Sequence, residues 1–335
     1  MIKIGVLTPD ATDALAFYRS TGPLSAMRKT HSINYEIMEN SISWATLRKF
    51  DVVFMHRPWR ADHLQVMEMA KKWGVPVMVE YDDFLLDLPF SNPAYNAFLQ
   101  ARDTVKSIIN LADSVMVSTD HLERLLRPVT LDQSKPIHVV PNAYDHNLFK
   151  HYRHTGNVKE RMKIFLWRGG NSHLEDLLSV KEEYLRLFEE HPDWTFIFVA
   201  THPWILDAQK FPNVKTADPM GLVEYFRAIH DTAPAIVAHP LVDNDFNRCK
   251  SMCSWIEATH ARAAFIGPDF EEFNRSGVVQ YGKDKSFYDC AKELISNPEL
   301  LFQKYNESEH SLNTEFALDI VNSKRFVGIL QTACR

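Results

Sequence analysis

The chain has 335 residues, of which 45% are hydrophobic and 24% charged, so there is apolar material for about two buried cores and no compositional case for wholesale disorder. The formal charge is −6. Residues 1–150 hold 16 basic against 17 acidic residues and the remainder 21 against 26, which excludes a module that binds nucleic acid through bulk charge and leaves only a local patch. Eleven glycines beside 17 prolines and 21 phenylalanines argue against a G-x-G-x-x-G dinucleotide loop, and the sequence contains none.

Strand-like and helix-like runs alternate from the first residue. Ile2–Thr8, Ile33–Met38, Val52–Met55, Val75–Glu80, Ser114–Val117 and Ile137–Val140 read as a first set of strands, with a helical pattern over Ala61–Trp73 closed by Gly74. The series restarts with strands at Lys163–Trp167, Thr195–Ala200, Ala235–Ala238 and Ala263–Ile266, and helices at Leu174–Glu190, Met220–Ile229 and Met252–Ala261. Leu312–Val327 reads as a terminal helix, and the polar, aperiodic stretch His146–Arg161 as a linker. Two successive series of βα units predict an α/β protein with two Rossmann-like parallel sheets in tandem. The expected division is residues 1–148, residues 149–310 and a C-terminal helix within 311–335.

The four cysteines, Cys249, Cys253, Cys290 and Cys334, form no C-x-x-C pair, and no secretory apolar run follows Met1. No apolar stretch approaches the ~18 residues of a membrane span, so the expectation is a cytoplasmic protein in a reducing compartment.

Ligands of open parallel sheets sit beyond the carboxyl ends of the strands. That rule singles out Thr8-Pro9-Asp10, His56-Arg57-Pro58, Tyr81-Asp82-Asp83, Ser118-Thr119, Pro141-Asn142, Arg168-Gly169-Gly170 and His239-Pro240. After His239-Pro240 a polar loop carries Asp243, Asn244, Asn247 and Lys250, and a helix is expected to begin near Ser251 and Met252. A helix N-terminus offers free N–H groups and about half a positive charge, which suits a phosphate. Lys250 adds a mobile cation there, and Glu257, about two turns on, can accept from ribose hydroxyls. The same residues also read as a capped helix after a solvated loop. In Trp167-Arg168-Gly169-Gly170-Asn171-Ser172-His173 a strand passes through a glycine pair into a helix with Asn171 or Ser172 as N-cap. This is either an anion site with the Arg168 fork at its mouth or a turn that merely needs glycine. Asn142 and Asp145 read as turn braces.

Together, Val140-Pro141-Asn142-x-x-Asp145-x-x-x-Phe149, the turn Gly169-Gly170…His173…Asp176-Leu177, and Pro240-Leu241…Phe246-Asn247…Lys250-Ser251…Trp255-x-Glu257-Ala258 resemble the GT-B glycosyltransferases, in particular the retaining nucleotide-sugar enzymes with bacterial and phage members. The resemblance runs from Met1 to about Leu300 and is weakest in residues 10–50. It implies transfer of a hexosyl or pentosyl group from a nucleotide-diphosphate sugar, UDP-linked by expectation, to an acceptor hydroxyl, with retention and with neither metal nor cofactor. It implies that Arg168 and Lys250 hold the donor diphosphate, and that Gly169, Gly170, Asn171, His173, Asp243, Asn244, Asn247, Ser251 and Met252 belong to the donor site. Glu257, the last acid of the family's E-x7-E pattern, is expected at the ribose or the sugar. The first acid of that pattern falls on Cys249, a departure that leaves the transferred sugar open; Asp243, Asn244 and Asn247 are candidates to take over its hydroxyl contacts.

On the first-half side, Glu80-Tyr81-Asp82-Asp83 places adjacent carboxylates where many relatives carry a histidine. Asp82 and Asp83 are candidates to orient or deprotonate the acceptor, followed by His56. Arg57 is expected to pair with Asp82 or Asp83, because a buried charge is costly alone. Tyr81-Asp82-Asp83-Phe84-Leu85-Leu86-Asp87 can also be read as a divalent-metal cluster, but no second cluster accompanies it. Tyr18 and Arg19 are expected to shape the acceptor or phosphate entrance, and Cys249 and Cys253 to be packing or loop residues. The acceptor is a glycan by family default or DNA with hydroxymethylated pyrimidines, for which Arg57, Arg60, Lys71 and Lys72 supply a local basic cluster. No obligate protein partner is expected. A nucleotide-sugar 2-epimerase and a non-catalytic sugar-nucleotide binder are the rival readings.

Overall fold

The computed structural model describes residues 1–38, 44–149, 163–199 and 203–335. The first sheet contains β1 (Ile2–Leu7), β2 (Ile33–Ile37), β3 (Val52–His56), β4 (Val77–Tyr81), β5 (Ser114–Val117) and β6 (Ile137–Val139). Their order is β2-β1-β3-β4-β5-β6, every pair parallel. The second contains β7 (Ile164–Arg168), β8 (Thr195–Val199), β9 (Val214–Ala217), β10 (Ile236–Ala238), β11 (Ala264–Pro268) and β12 (Val278–Tyr281). It is ordered β12-β11-β10-β7-β8-β9 and is again parallel throughout.

Parallel strands are joined by crossover helices that cover both faces, so their sequences read as unbroken apolar runs rather than alternating ones. β3, β4 and β11 are buried along their whole length. The first sheet has core on both sides, Val53, Met55, Val79 and Ile108 on one and Ile4, Phe54, Met78 and Met116 on the other. The second packs Phe165, Trp167, Phe188 and Phe196 on one side and Leu166, Trp255, Ile256 and Phe265 on the other. Phe246 and Cys249, from the second half, pack into a core of the first. The strand orders put the topological switch between β1 and β3 in one sheet and between β7 and β10 in the other, where a crevice opens at the carboxyl ends.

Several expected elements are redrawn. The short outer strands β9 and β12 are additions. The expected helix Leu174–Glu190 is a 3-10 turn, Asn171–His173, followed by helices Leu174–Ser179 and Lys181–Glu190. Neither Asn171 nor Ser172 is an N-cap; Gly170 holds that position for the turn and His173 for the first helix. The helix expected near Ser251 starts at Cys253, after a separate short helix Asp245–Arg248. The terminal helix expected over Leu312–Val327 is two, Pro298–Glu315 and Leu318–Ala333. Tyr144 holds the break between them, donating its N–H to Phe316 O at 2.8 Å and accepting from Leu318 N–H at 3.0 Å. Leu318–Ala333 then turns back onto the first sheet, where Val321 and Ile329 join its core. From residue 150 on, the expected linker His146–Arg161 lies outside the described residues, as does Ala200; His146–Phe149 is a short helix. No helix among the described residues is long and apolar enough to cross a membrane.

Candidate functional site

The two switch points face each other. On the first sheet, pairing of His56 with Glu80 in the β3–β4 register sets those side chains side by side, and Thr8 Oγ1 meets His56 Nδ1 at 3.0 Å across the switch. The next residue, Arg57, has a left-handed backbone with φ +50°, a conformation that costs a non-glycine residue about 1–2 kcal/mol. Its surroundings over-determine it. The Arg57 amide donates to Glu80 O at 2.8 Å, and the guanidinium pairs with Asp82 at 3.2 Å and Asp83 at 3.0 Å. The expected ion pair therefore involves both carboxylates.

Lys250 reaches over from the second half to Asp83 Oδ1 at 2.8 Å. Burial would raise the Asp83 carboxyl, but Lys250 and then Arg57 outweigh it and hold the group down at about 2. Asp83 is thus a poor proton acceptor and a good orienting anion. At the other switch point, Arg168 ends β7 and binds Glu257 through two parallel contacts, one of them Nε to Oε2 at 2.7 Å. Glu257 is 1% exposed whereas Arg168 is 34% exposed, so part of the guanidinium faces the cleft from an anchored base, with the Tyr225 ring centre 5.3 Å away. Burial alone would lower the Arg168 pKa; Glu257 reverses the shift and raises it. Tyr18, from the first half, donates to Glu257 Oε1 at 3.3 Å.

Two neighbouring cavities share Ala14 and Arg168. One, of about 170 Å³, is lined on the first-half side by Tyr18, Arg19, Asp82, Asp83 and Asn142 and on the other by His173, His239, Lys250, Ser251 and Cys253. The other, of about 220 Å³, lies against Gly169, Gly170, Val199, Met220, Tyr225 and Glu257. A wider groove of about 620 Å³ runs between residues 11–35 and Gly221–Glu224. Its lining residues include Thr12, Asp13, Thr21, Ser25, Tyr35 and Glu224, with no lysine or arginine among them.

His56, Glu80 and Asp82 are buried and each offers a ligand atom within 4.8 Å of the others, which is a donor set a divalent cation could use, although Asp82 Oδ1 already faces Arg57 Nε at 3.2 Å. The charges around them do not fit one. Arg19 and Arg57 already face carboxylate oxygens of Glu80 and Asp82, and Arg325 adds a further positive charge beside Glu80, so a divalent ion would be placed against three guanidinium groups. A proton answers the same geometry. Burial drives Glu80 up to about 7 against the pull of Arg19 and His56 down to about 4 against Asp82. Protonated at Oε2, Glu80 can donate to His56 Nε2, 3.4 Å away, while Oε1 accepts from Arg19 Nε at 2.6 Å.

The structure brings Asp82, Asp83, Arg168, Gly169, Gly170, His173, Lys250, Ser251 and Glu257 to this cleft. His56 stands behind its wall, 2% exposed. His173 Nδ1 pairs with Asp176 at 2.8 Å, which orients the ring. Asn171 contributes backbone to the turn beside it. Four expected residues lie outside the linings of the two cavities. Asp243 points outward and pairs with Arg248 at 2.6 Å; Asn244 caps the short helix through Asn247 N–H at 2.8 Å. The Asn247 side chain is buried against Asp176 Oδ1 at 2.7 Å and Val242 O at 2.9 Å. Met252 is 2% exposed in the second core. The separate short helix Asp245–Arg248 accounts for the three polar residues, because Asp243, Asn244 and Asn247 all brace it or the loop around it. Their side chains are engaged within the loop or the core, and Cys249, where the family pattern has its first acid, is itself fully buried. Asp145 does brace its turn, accepting from Asn147 N–H at 2.9 Å. Asn142 does something unexpected, accepting from Arg19 and donating across the cleft to Ser251 and Cys253.

No protein-family model matches the chain, and no curated protein sequence does. Solved structures do match along nearly its whole length. An alpha-glucosyltransferase in complex with UDP-glucose and DNA containing an abasic site superposes with a TM-score of 0.70 at 9% identity, covering 98% of this chain and 99% of that one. The chain has the GT-B fold. Two other GT-B structures agree. Sucrose-phosphate synthase from Thermosynechococcus elongatus gives a TM-score of 0.71 at 10% identity, covering 99% of both chains. Anabaena HepE in complex with UDP and glucose gives 0.66 at 12%, covering 99% of this chain and 100% of that one. The GT-B arrangement of two facing sheets is thus preserved where little sequence is.

Proposed function

We propose that the chain is a glycosyltransferase that moves a sugar from a UDP-linked donor to an acceptor hydroxyl in the cleft between the sheets. The observation that carries this reading is the pairing of Arg168 and Lys250, one from each side of the second switch point, at the wall of two adjoining cavities. The cavity beside Gly169, Met220, Tyr225 and Glu257 suits a nucleoside, and the one between Asp83, His173 and Lys250 suits the sugar. In transfer, the bond from the anomeric carbon to the diphosphate breaks and a bond to the acceptor oxygen forms. Negative charge grows on the departing diphosphate, where Arg168, Lys250 and the N–H groups opening the helix Cys253–His260 stabilise it. The acceptor proton passes to the departing phosphate oxygen, with Asp82 and Asp83 orienting the hydroxyl. Retention and independence from metal belong to this proposal and agree with the resemblance of the sequence motifs.

A neutral saccharide is the acceptor this cleft supports best. Each cation at the cleft, Arg19, Arg57, Arg168 and Lys250, has a carboxylate partner, and the adjoining groove offers hydroxyl and carboxylate residues. DNA carrying hydroxymethylated pyrimidines is the second reading, favoured by the full-length likeness to the alpha-glucosyltransferase structure that contains DNA. A thermal-shift panel of nucleotide sugars tests the donor, because stabilisation follows RT ln(1+[L]/Kd). UDP-sugars should raise Tm, and product analysis with a glycan library should show a new glycoside. Donor turnover without acceptor would support an epimerase instead. Retention of labelled duplex with a steep salt dependence would favour DNA.

A further inference from the structure

Arg19 is 1% exposed, yet its guanidinium is engaged on two sides. Nε donates to Glu80 Oε1 at 2.6 Å, and Nη1 donates to Val140 O at 2.7 Å and Asn142 Oδ1 at 3.0 Å. Behind Glu80, Arg325 of the helix Leu318–Ala333 is wholly buried and held by Asn322 Oδ1 at 2.7 Å. An arginine can only donate, so its contact decides which way round the Asn142 amide lies. With Oδ1 turned to Arg19, Nδ2 must point outward, and it donates to Ser251 Oγ at 2.6 Å and Cys253 Sγ at 2.8 Å in the opposite half. Burying this much charge is more costly than an apolar contact of the same size, and what it adds is direction.

We infer that Glu80, Arg19 and Asn142 are positioning residues: Glu80 anchors the Arg19 guanidinium, Arg19 orients the Asn142 amide, and Asn142 docks the Ser251–Cys253 segment against the first half. That segment opens the helix that carries Glu257, so the relay sets where the Glu257–Arg168 pair stands relative to Asp83. The link to catalysis rests on the glycosyltransferase reading; the docking does not.

Hydrogen exchange of the ligand-free full chain reads the docking directly. Asn142→Leu and Glu80→Leu should each speed amide exchange over residues 251–257 about tenfold, the loss of one or two net hydrogen bonds, with exchange in β7 to β11 unchanged. Glu80→Gln, which can still accept from Arg19 and donate to His56, should return the rate to that of the unaltered chain. With UDP-glucose as probe, Asn142→Leu should raise KM for the donor more than it lowers kcat. Unchanged exchange over 251–257 in Asn142→Leu, or a Glu80→Gln rate as fast as that of Glu80→Leu, overturns the inference. Asn142→Leu leaves the buried charges in place and decides the matter alone if Glu80→Leu does not fold. Faster exchange without binding or turnover of UDP-glucose keeps the relay and removes the glycosyltransferase reading.

Discussion

Arg168 and Lys250 are already paired before any ligand arrives, one with Glu257 and the other with Asp83. On the proposed reading, a diphosphate entering the cleft would compete for these cations, and exchange of one anion for another would avoid stranding a desolvated charge. Arg168→Ala and Lys250→Ala are each expected to lower kcat/KM for the UDP-sugar about 10²–10³-fold in steady-state assays, the range for loss of a pre-organised donor to developing charge. Unchanged turnover in both would place the donor elsewhere. Glu80 makes a second expectation, on pH. Its carboxyl titrates near 7 in the folded chain against 4.5 unperturbed, so the folded state binds the proton more tightly. The stabilisation is complete below pH 4.5 and is lost as pH rises through 7. Glu80→Gln should flatten the dependence of Tm on pH in that window, measured by calorimetry in steps of pH. An unchanged slope would show that Glu80 titrates normally. Asp83, held near 2, acts in the opposite sense and stabilises above pH 3.8. Asp82, Asp83 and Arg168 are legible in the sequence because each ends or follows a strand in an α/β pattern, and Lys250 because it precedes a helix start. The Glu80–Arg19 pair is not legible, because 61 positions separate partners that only the first-sheet register and the first loop bring together.

Short outer strands show why the elements were only partly readable. Val214–Ala217 and Val278–Tyr281 have four residues each and are not buried along their full length, so no apolar run marks them. The break at Phe316-Ala317 is set by Tyr144, more than 170 positions upstream, and by no glycine or proline of its own. Gly277, just before β12, carries a different kind of information. Its φ is +86°, and a Cβ there would lie 2.4 Å from Ser308 N and 2.5 Å from Lys304 O, backbone atoms of the helix Pro298–Glu315. The strand can join the sheet only because that helix passes within touching distance of a residue without a side chain. Gly277→Ala is expected to destabilise the chain by about 2–4 kcal/mol, combining left-handed strain with an overpacked contact that cannot rotate away. Urea unfolding should register this as a lower midpoint with little change in slope. A midpoint within error of the unaltered chain would mean that the helix can withdraw.

At the scale of the molecule, the last helix ties the two sheets into one object. The chain leaves the second sheet along Pro298–Glu315, turns at Tyr144, and lays Leu318–Ala333 on the first sheet. There Val321 and Ile329 are at most 1% exposed, Thr332 Oγ1 lies 2.6 Å from Ser114 Oγ, and Asn322 donates to Pro23 O at 3.2 Å. Each buried aliphatic side chain is worth about 1.5–3 kcal/mol, against a total of about 5–15 kcal/mol for a typical domain. The helix also carries Arg325 beneath Glu80, so its removal opens the first core and leaves a buried carboxyl cluster without one of its cations. A chain ending at Ala317 is therefore expected to lose cooperative unfolding of the first sheet while strands β7 to β12 keep their hydrogen-exchange protection. The second sheet contains its own two cores and does not draw on Leu318–Ala333 for them. Survival of protection in β1 to β6 after the truncation would show that the returning helix only covers the first sheet, and would detach the Glu80 relay from the end of the chain.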